Sequence, residues 1–296
     1  MTSTGAVGSW RLAVRLPTLP AAVAPVIVGT GVAIAADEFT AGPAVAALAG
    51  AVCLQVVANL ANDVFDFKKG ADTAERVGPP RATQSGVLSE RQVFAGLAVM
   101  IAISIVIGVY LTAVAGWAVV AIGLASIAAA LAYTGGPWPF GYHALGDLFT
   151  FVFFGIVAVV GTYFVQAEEL VSLAWYAAVP MGCTVTAILV VNNLRDIPTD
   201  RETGKTTLAV LMGNGATRTW FVVLVGVAYV SALATWVFSD GGAWVLLTLA
   251  SLPFAVPPLR AILGGSTGGV LNNALKGTAR FHLAFGILLA VGIAIS

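Results

Sequence analysis

The chain has 296 residues, of which 59% are hydrophobic and only 9% charged, and its mean hydropathy is +0.95. Soluble domains usually carry about 25% charged residues, so this composition excludes a protein whose whole surface faces water. The 14 basic and 14 acidic residues cancel, and net charge therefore gives no reason to expect nucleic acid as a partner. Most of the surface is predicted to face the lipid bilayer.

Nine apolar segments are long enough to cross a bilayer, which takes about 20 residues of helix. In chain order they are residues 18–36, 43–62, 92–112, 116–134, 147–166, 171–193, 218–238, 243–260 and 280–296. The sequence therefore predicts an all-α polytopic membrane protein, a single domain over residues 1–296 built as a bundle of nine transmembrane helices.

Basic residues are confined to one side of this predicted topology. All 14 Lys and Arg residues lie in the N-terminal segment or in the loops that follow even-numbered segments, and the short turns on the other side contain only acidic charges. Positively charged loops favour the cytoplasmic side of a membrane. The N-terminus and the loops after even-numbered segments are therefore predicted to be cytoplasmic, in a multi-pass protein of the cell membrane.

Three of these loops hold most of the polar residues, at positions 63–91, 135–146 and 192–218. The first and third have the same design, because each follows an even-numbered segment with Asn, then Asp, then further Asp mixed with Lys and Arg. Such similarity suggests an internal duplication. The middle loop is neutral and rich in Gly, Pro and aromatic residues.

Helical spacing groups the acids of the first and third loops. Residues four apart share one face of a helix, so Asn62 is expected beside Asp66, and Asn192 beside Asp196. A proline disfavours helical geometry at the residue before it, so Pro198 predicts a break ahead of the remaining acid, Asp200.

Carboxylates gathered at the ends of apolar helices repel one another unless cations lie between them. Oxygen ligands favour a hard ion, and Mg²⁺ held by carboxylates together with substrate phosphates is a common arrangement. The two clusters are therefore predicted to bind Mg²⁺ and, through it, a diphosphate. Nearby basic side chains predicted to bind the remaining phosphate oxygens are Lys68, Lys69, Arg76, Arg81, Arg195 and Lys205.

The Asn62-Asp63-x-x-Asp66 cluster, the Asp196-x-x-x-Asp200 cluster and the nine-segment layout resemble the UbiA superfamily of intramembrane prenyltransferases. Within it, the chain is most similar to 1,4-dihydroxy-2-naphthoate polyprenyltransferases of menaquinone synthesis. The similar stretches are spread over most of the chain, at residues 15–20, 62–72, 78–86, 141–147 and 192–208.

The resemblance implies a bundle around a central cavity that opens sideways to lipid, and catalysis by four acids: Asp63, Asp66, Asp196 and Asp200. It implies Mg²⁺-dependent transfer of a polyprenyl group from polyprenyl diphosphate to the naphthoate, with loss of CO₂ and a proton, giving demethylmenaquinol. The residues that it places around the Mg-diphosphate are Asn62, Asp66, Asn192, Asp196 and Asp200, with Asp63 and Asp72 assisting.

Cleavage of an allylic C–O bond leaves negative charge on the diphosphate and a carbocation, which aromatic faces can stabilise. Four aromatic residues lie near the predicted cavity mouth: Tyr133, Trp138, Phe140 and Tyr142. The pocket for the cation and the acceptor is predicted to include Tyr133, Tyr142, His143 and Asp147, with Asp147 or His143 as a candidate to manage the proton.

Two alternatives remain open from the sequence. Many superfamily members place a Lys four residues after a Tyr at the end of the fourth segment, whereas Tyr133 is followed here by Pro137. This departure counts against a 4-hydroxybenzoate or homogentisate acceptor and leaves open which residue binds the acceptor's carboxylate. A transporter would need acids near the middle of the membrane, but the middles of the nine segments are essentially uncharged.

Overall fold

The computed structural model describes residues 6–72, 77–239 and 242–296. Within these ranges every secondary-structure element of three residues or more is a helix. The helices in chain order are α1 (Ala6–Val14), α2 (Pro20–Ala35), α3 (Ala41–Lys68), α4 (Glu90–Ala115), α5 (Ala118–Ala132), α6 (Gly146–Ala167), α7 (Ser172–Glu202), α8 (Leu208–Phe238), α9 (Ala243–Leu263) and α10 (Leu271–Ala294). A π-helical stretch, Phe151–Val157, lies within α6, and α9 starts with 3-10 turns.

Seven helices of the described chain are long and apolar enough to cross a membrane: α3, α4, α6, α7, α8, α9 and α10. The pair Val7–Thr18 and Pro20–Ala35 passes the same test as one span bent by 51°, and Ala118–Ala132 is a shorter apolar helix. Each of the nine predicted segments overlaps one of these helices. The prediction of an all-α, multi-pass membrane protein is confirmed, and the count of nine spans stays a prediction.

Two helices extend beyond the apolar segments and carry the polar clusters as their last turns. Helix α3 continues to Lys68 and α7 continues to Glu202. The break expected ahead of Asp200 was wrong, because α7 runs through Pro198. Proline removes one backbone hydrogen bond of the helix, the bond to the carbonyl of Leu194. Because α7 is the most buried of the candidate membrane helices, its packing keeps the helix continuous despite this loss.

The faces that the bundle turns outward are apolar. Val106 on α4, Leu124 on α5 and Val230 on α8 are each more than 60% exposed. A soluble protein rarely exposes such contiguous apolar surface, whereas a bilayer requires it. The buried side is packed by large rings, among them Phe221, Phe281 and Phe285.

A cavity of about 590 Å³ lies among α1 to α7 and α10. At one end its wall is polar and includes Asn62, Asp66 and Arg195, whereas Leu111 and Val119 line an apolar region elsewhere. Segment 77–88, here named the roof segment, borders the polar end through Pro79, Pro80 and Arg81. The cavity therefore suits an amphipathic ligand, which has a polar end and an apolar remainder.

Candidate active site

Both predicted clusters reach the same cavity. Asn62 and Asp66, one turn apart near the end of α3, line its wall, and Asn192 and Arg195 of α7 line it as well. Lys205, in the connection after α7, completes the polar end. The structure therefore brings residues about 130 positions apart in the chain to one cavity.

Asp66 has a buried carboxylate with a different partner on each oxygen. Its Oδ1 accepts a hydrogen bond of 2.8 Å from the hydroxyl of Tyr142, and its Oδ2 lies 3.4 Å from Nη2 of Arg81. The Nε of Arg81 lies 3.3 Å from Oδ2 of Asp72, so this guanidinium sits between two carboxylates. Asp72, a predicted metal ligand, is paired with Arg81 in this structure.

Asp63 is fully buried and holds the roof segment. Its Oδ2 accepts from the backbone N–H of Ala82 at 2.9 Å, and its Oδ1 accepts from that of Thr83 at 2.8 Å. It is not among the residues that line the cavity. The sequence placed Asp63 among the catalytic acids; here its carboxylate binds the backbone of the roof segment, and its catalytic role stays a prediction.

The second cluster centres on Arg195, which is 2% exposed. Its Nε and Nη2 bind the two oxygens of Asp196 at 2.7 and 2.6 Å, the bidentate geometry that suits a guanidinium and a carboxylate. Nη2 also donates to Oδ1 of Asn192 at 2.9 Å. The charge of Asp196 is therefore neutralised by its neighbour in the chain.

Tyr142 connects the two clusters. Its hydroxyl binds Asp66, and the ammonium groups of Lys69 and Lys205 lie 4.9 and 5.2 Å from the centre of its ring, in cation–π contact. Lys205 is in turn 3.9 Å from Oδ1 of Asp200. Two cations, one from each half of the sequence, are therefore held at the polar end by one aromatic ring.

Burial and the surrounding acids set the protonation of this region. Burial raises the pKa of the Tyr142 phenol, and the charge and hydrogen bond of Asp66 raise it further. Burial lowers the pKa of Lys69, and Asp66 opposes that shift. The Tyr142 phenol is therefore a neutral hydrogen-bond donor throughout the physiological range.

Substitution Tyr142→Phe is expected to lower kcat/KM by about 10–100-fold, the value of a hydrogen bond of about 1.5–3 kcal/mol to a charged group. Because the pKa of Tyr142 lies above its ordinary value of about 10, the wild-type phenol keeps its proton below that pH. Profiles of kcat/KM from pH 7 to 10 should therefore have the same shape in both proteins. An alkaline inflection that the substitution removes would contradict this prediction.

The structure separates several predicted residues from the cavity wall. Lys68 pairs with Glu90 at 3.7 Å and lies 4.9 Å from the centre of the Phe94 ring, because a residue two positions after Asp66 points to a different helix face. Its assignment to diphosphate binding stays a prediction. Arg76, predicted for the same role, lies outside the described residues.

His143 and Asp147 also lie off the wall. The Nδ1 of His143 is 2.9 Å from the carbonyl of Pro139, and its ring stacks on Trp138. Asp147 accepts a hydrogen bond of 3.0 Å from the indole N–H of Trp220. Tyr133 and Phe140 of the same region do line the cavity. Roles of His143 and Asp147 in proton transfer stay predictions.

Metal-binding capacity depends here on oxygen donors of mixed type. Within the described ranges, no three His, Cys, Asp or Glu side chains converge on one point, because Arg81, Arg195 and Lys205 interleave with the acids. The donors on the cavity wall are the amides of Asn62 and Asn192 and the carboxylate of Asp66. Such a set suits Mg²⁺, which commonly takes one or two carboxylates and completes its shell with water and substrate phosphate.

Several polar residues of the cavity wall were missed by sequence reasoning: Arg11, Arg15, Asn272 and Lys276. The only signal was spacing, because each pair is four residues apart and shares a helix face or its extension. The N-terminal pair is fixed by α3, where Asn59 donates to the carbonyl of Val14 and to the hydroxyl of Thr18, both at 2.9 Å. The cavity is therefore bordered by cations from both ends of the chain.

Comparisons with known proteins match this chain to prenyltransferases. A family model described as "UbiA prenyltransferase family" matches residues 22–265. The "1,4-dihydroxy-2-naphthoate octaprenyltransferase" of Escherichia coli (strain K12) is 35% identical over 296 residues, covering 97% of this chain and 96% of the relative.

Solved structures share the helical arrangement. A UbiA homolog from Aeropyrum pernix K1, in its apo form, superposes with a TM-score of 0.71 at 18% identity, over 93% of this chain and 97% of its own. A UbiA homolog from Archaeoglobus fulgidus, bound to GPP and Mg²⁺, gives a TM-score of 0.68 at 12% identity, over 96% of this chain and 99% of its own. At these identities the likeness establishes the fold.

Proposed function

The chain belongs to the UbiA prenyltransferase family and is a membrane prenyltransferase, and on that premise we propose its reaction. It transfers a polyprenyl group from polyprenyl diphosphate to 1,4-dihydroxy-2-naphthoate with loss of CO₂, giving demethylmenaquinol. The observation that carries the proposal is one cavity whose polar end is lined by Asn62 and Asp66 of the first cluster and by Asn192 and Arg195 of the second, with an apolar wall beyond them. The acceptor is proposed from the relative in Escherichia coli.

The diphosphate of the donor is proposed to bind at the polar end. A family structure holds GPP, a prenyl diphosphate, together with Mg²⁺, and the cavity wall here offers oxygen donors for the ion beside cations for the phosphates. Arg195 and Lys205, which line the cavity, are proposed to donate to phosphate oxygens. The ligands proposed for Mg²⁺ are Asn62, Asp66 and Asn192 on the wall, together with Asp196 and Asp200, which pair with Arg195 and Lys205. When bound, Mg²⁺ offsets the negative charge that grows on the departing diphosphate.

The carbocation and the acceptor are proposed to meet next to this site. The rings of Tyr133, Phe140 and Phe149 line the cavity, and aromatic faces stabilise a cation. The roof segment and the apolar wall exclude water, which would otherwise consume the cation.

The new C–C bond forms at the ring carbon that bears the carboxylate, and the electron pair of the C–CO₂ bond returns to the ring. An acceptor bound as its carboxylate has already lost its acid proton, so this step needs no base on the cavity wall. That agrees with the positions of His143 and Asp147 off the wall.

The polar end is proposed to face the cytoplasm. The segregation of all 14 basic residues to one side of the topology supports this orientation. A cytoplasmic opening gives charged diphosphate and naphthoate direct access, while the polyprenyl tail enters from the bilayer.

A competition assay tests the proposed reaction. Purified protein with Mg²⁺ and a long polyprenyl diphosphate is offered 1,4-dihydroxy-2-naphthoate and 4-hydroxybenzoate together, and the products are identified by mass spectrometry. We expect a prenylated naphthoquinol that has lost CO₂, formed only in the presence of Mg²⁺. Prenylation of hydroxybenzoate alone would contradict the acceptor, and the absence of both products would contradict both candidates.

A further inference from the structure

Asn272, at the start of α10, contacts both halves of the polar end. Its Oδ1 accepts a hydrogen bond of 2.8 Å from Nη1 of Arg195, and its Nδ2 donates to the backbone carbonyl of Val77 at 3.3 Å. It also lines the cavity. One amide therefore joins the second cluster, on α7, to the beginning of the roof segment that borders the first.

The contact with Arg195 orients the donor that remains for a ligand. A guanidinium has five N–H groups in one plane. Among the described residues, Nε and Nη2 of Arg195 donate three of these N–H groups to Asp196 and Asn192, and Nη1 donates one to Asn272. The fifth N–H is on Nη1, the nitrogen that Asn272 binds, so this amide fixes the plane in which that N–H points.

The contact with Val77 gives the roof segment a second attachment, near its beginning. Asp63 of α3 already binds the roof at Ala82 and Thr83. Asn272 adds an attachment on α10, across the cavity from α3. Arg81, between these two attachments, faces Asp66. The distance between the two diphosphate-binding clusters is therefore set partly by Asn272.

We propose that Asn272 is a positioning residue for the diphosphate of the donor: it aims Nη1 of Arg195 and holds the roof segment, so that both clusters reach one diphosphate together. This inference rests on the proposed function, because it takes the clusters to be the diphosphate site. The role requires one acceptor and one donor on a short planar group, and an amide provides both.

The test compares Asn272→Ala and Asn272→Leu with Asn273→Ala, a matched control on the exposed neighbouring position. Leucine retains the bulk of the side chain without its hydrogen bonds. Binding of inorganic pyrophosphate with Mg²⁺ is measured by calorimetry, without acceptor, and steady-state KM values are measured for each substrate. We expect both Asn272 variants to bind Mg-pyrophosphate about 10–100-fold more weakly, as is typical when a residue orienting a ligand-binding group is lost.

We also expect the KM for polyprenyl diphosphate to rise in parallel, with the KM for naphthoate and all properties of Asn273→Ala unchanged. Wild-type affinity for Mg-pyrophosphate in both Asn272 variants, or an equal rise in both KM values, overturns the inference. A wild-type protein that binds Mg-pyrophosphate but prenylates no naphthoate overturns the proposed acceptor and leaves the role of Asn272 intact. A wild-type protein that does not bind Mg-pyrophosphate overturns both.

Discussion

Asp66→Asn and Asp196→Asn are each expected to lower kcat by at least about 10²-fold, the typical loss when one preorganised electrostatic group is removed from an active site. Each substitution keeps the size of the side chain and removes one negative charge beside the proposed Mg²⁺. In Asp66→Asn, the oxygen that binds Tyr142 can remain, whereas the partner of Arg81 becomes an uncharged amide. The measurement is product formation at saturating substrates over a range of Mg²⁺ concentrations.

Asp37→Asn provides the control for the same chemical change. Asp37 is exposed in the turn after α2 and has a positive φ of 58°, a conformation that Asn adopts readily. Its activity should equal that of the wild type, and all three variants should elute from size exclusion as the wild type does. Near-wild-type turnover in both Asp66→Asn and Asp196→Asn would contradict the assignment of these acids to metal binding.

The helices were predictable from the sequence for a physical reason. In a bilayer every backbone N–H and C=O must be satisfied within the segment, so a long apolar run has little choice but to be helical. The ends were less predictable, because α3 and α7 retain helical geometry for about two turns or more beyond the predicted apolar segments, where polar side chains are tolerated. Pro198 shows that a local preference yields to packing in such a helix.

The site was predictable as far as helical spacing reaches. Asn62 and Asp66 were expected on one face of α3, and both line the cavity. Lys68 shares their cluster in the sequence but points to another face, towards Glu90. A charge cluster in a sequence therefore identifies a helix end, and only the phase of each residue decides which side chains enter the cavity.

Contacts between distant residues were beyond sequence reasoning. Asn272 is 77 positions from Arg195 and 195 positions from Val77, and its four-residue spacing from Lys276 does not reveal either contact. Lys276 was given no role from the sequence, yet it lines the cavity. Such residues become recognisable only once the packing of α10 against α2 and α7 is known.

Asp63 illustrates a different difficulty, since it belongs to the same motif as Asp66 and has the same chemistry. The structure distinguishes them by their partners, which are backbone N–H groups for Asp63 and side chains for Asp66. The motif therefore predicts where an acid lies in the fold but not which groups it binds.

Asp63→Ala is expected to release the roof segment. Two hydrogen bonds from Ala82 and Thr83 to a buried carboxylate are lost, and at about 1.5–3 kcal/mol each this removes about 3–6 kcal/mol of local stability. Amide exchange within residues 77–88 should accelerate, and the KM for polyprenyl diphosphate should rise. Asp63→Asn retains one acceptor and should give an intermediate effect on both. Hydrogen exchange read by mass spectrometry measures the first quantity, and steady-state kinetics the second.

Comparison of Asp63→Ala with Asp66→Asn decides between holding the roof and binding the metal. Asp66→Asn should accelerate exchange of the roof amides less than Asp63→Ala does, because Asp66 contacts the side chain of Arg81 whereas Asp63 binds the roof backbone. The main effect of Asp66→Asn should be a lower kcat. In Asp63→Ala the roof amides should exchange faster than in the wild type, and the kinetic effect should be a higher KM for polyprenyl diphosphate. If Asp63→Ala instead lost kcat while its roof amides exchanged at the wild-type rate, Asp63 would act in the chemistry, as its place in the motif predicts, and the positioning role would be wrong.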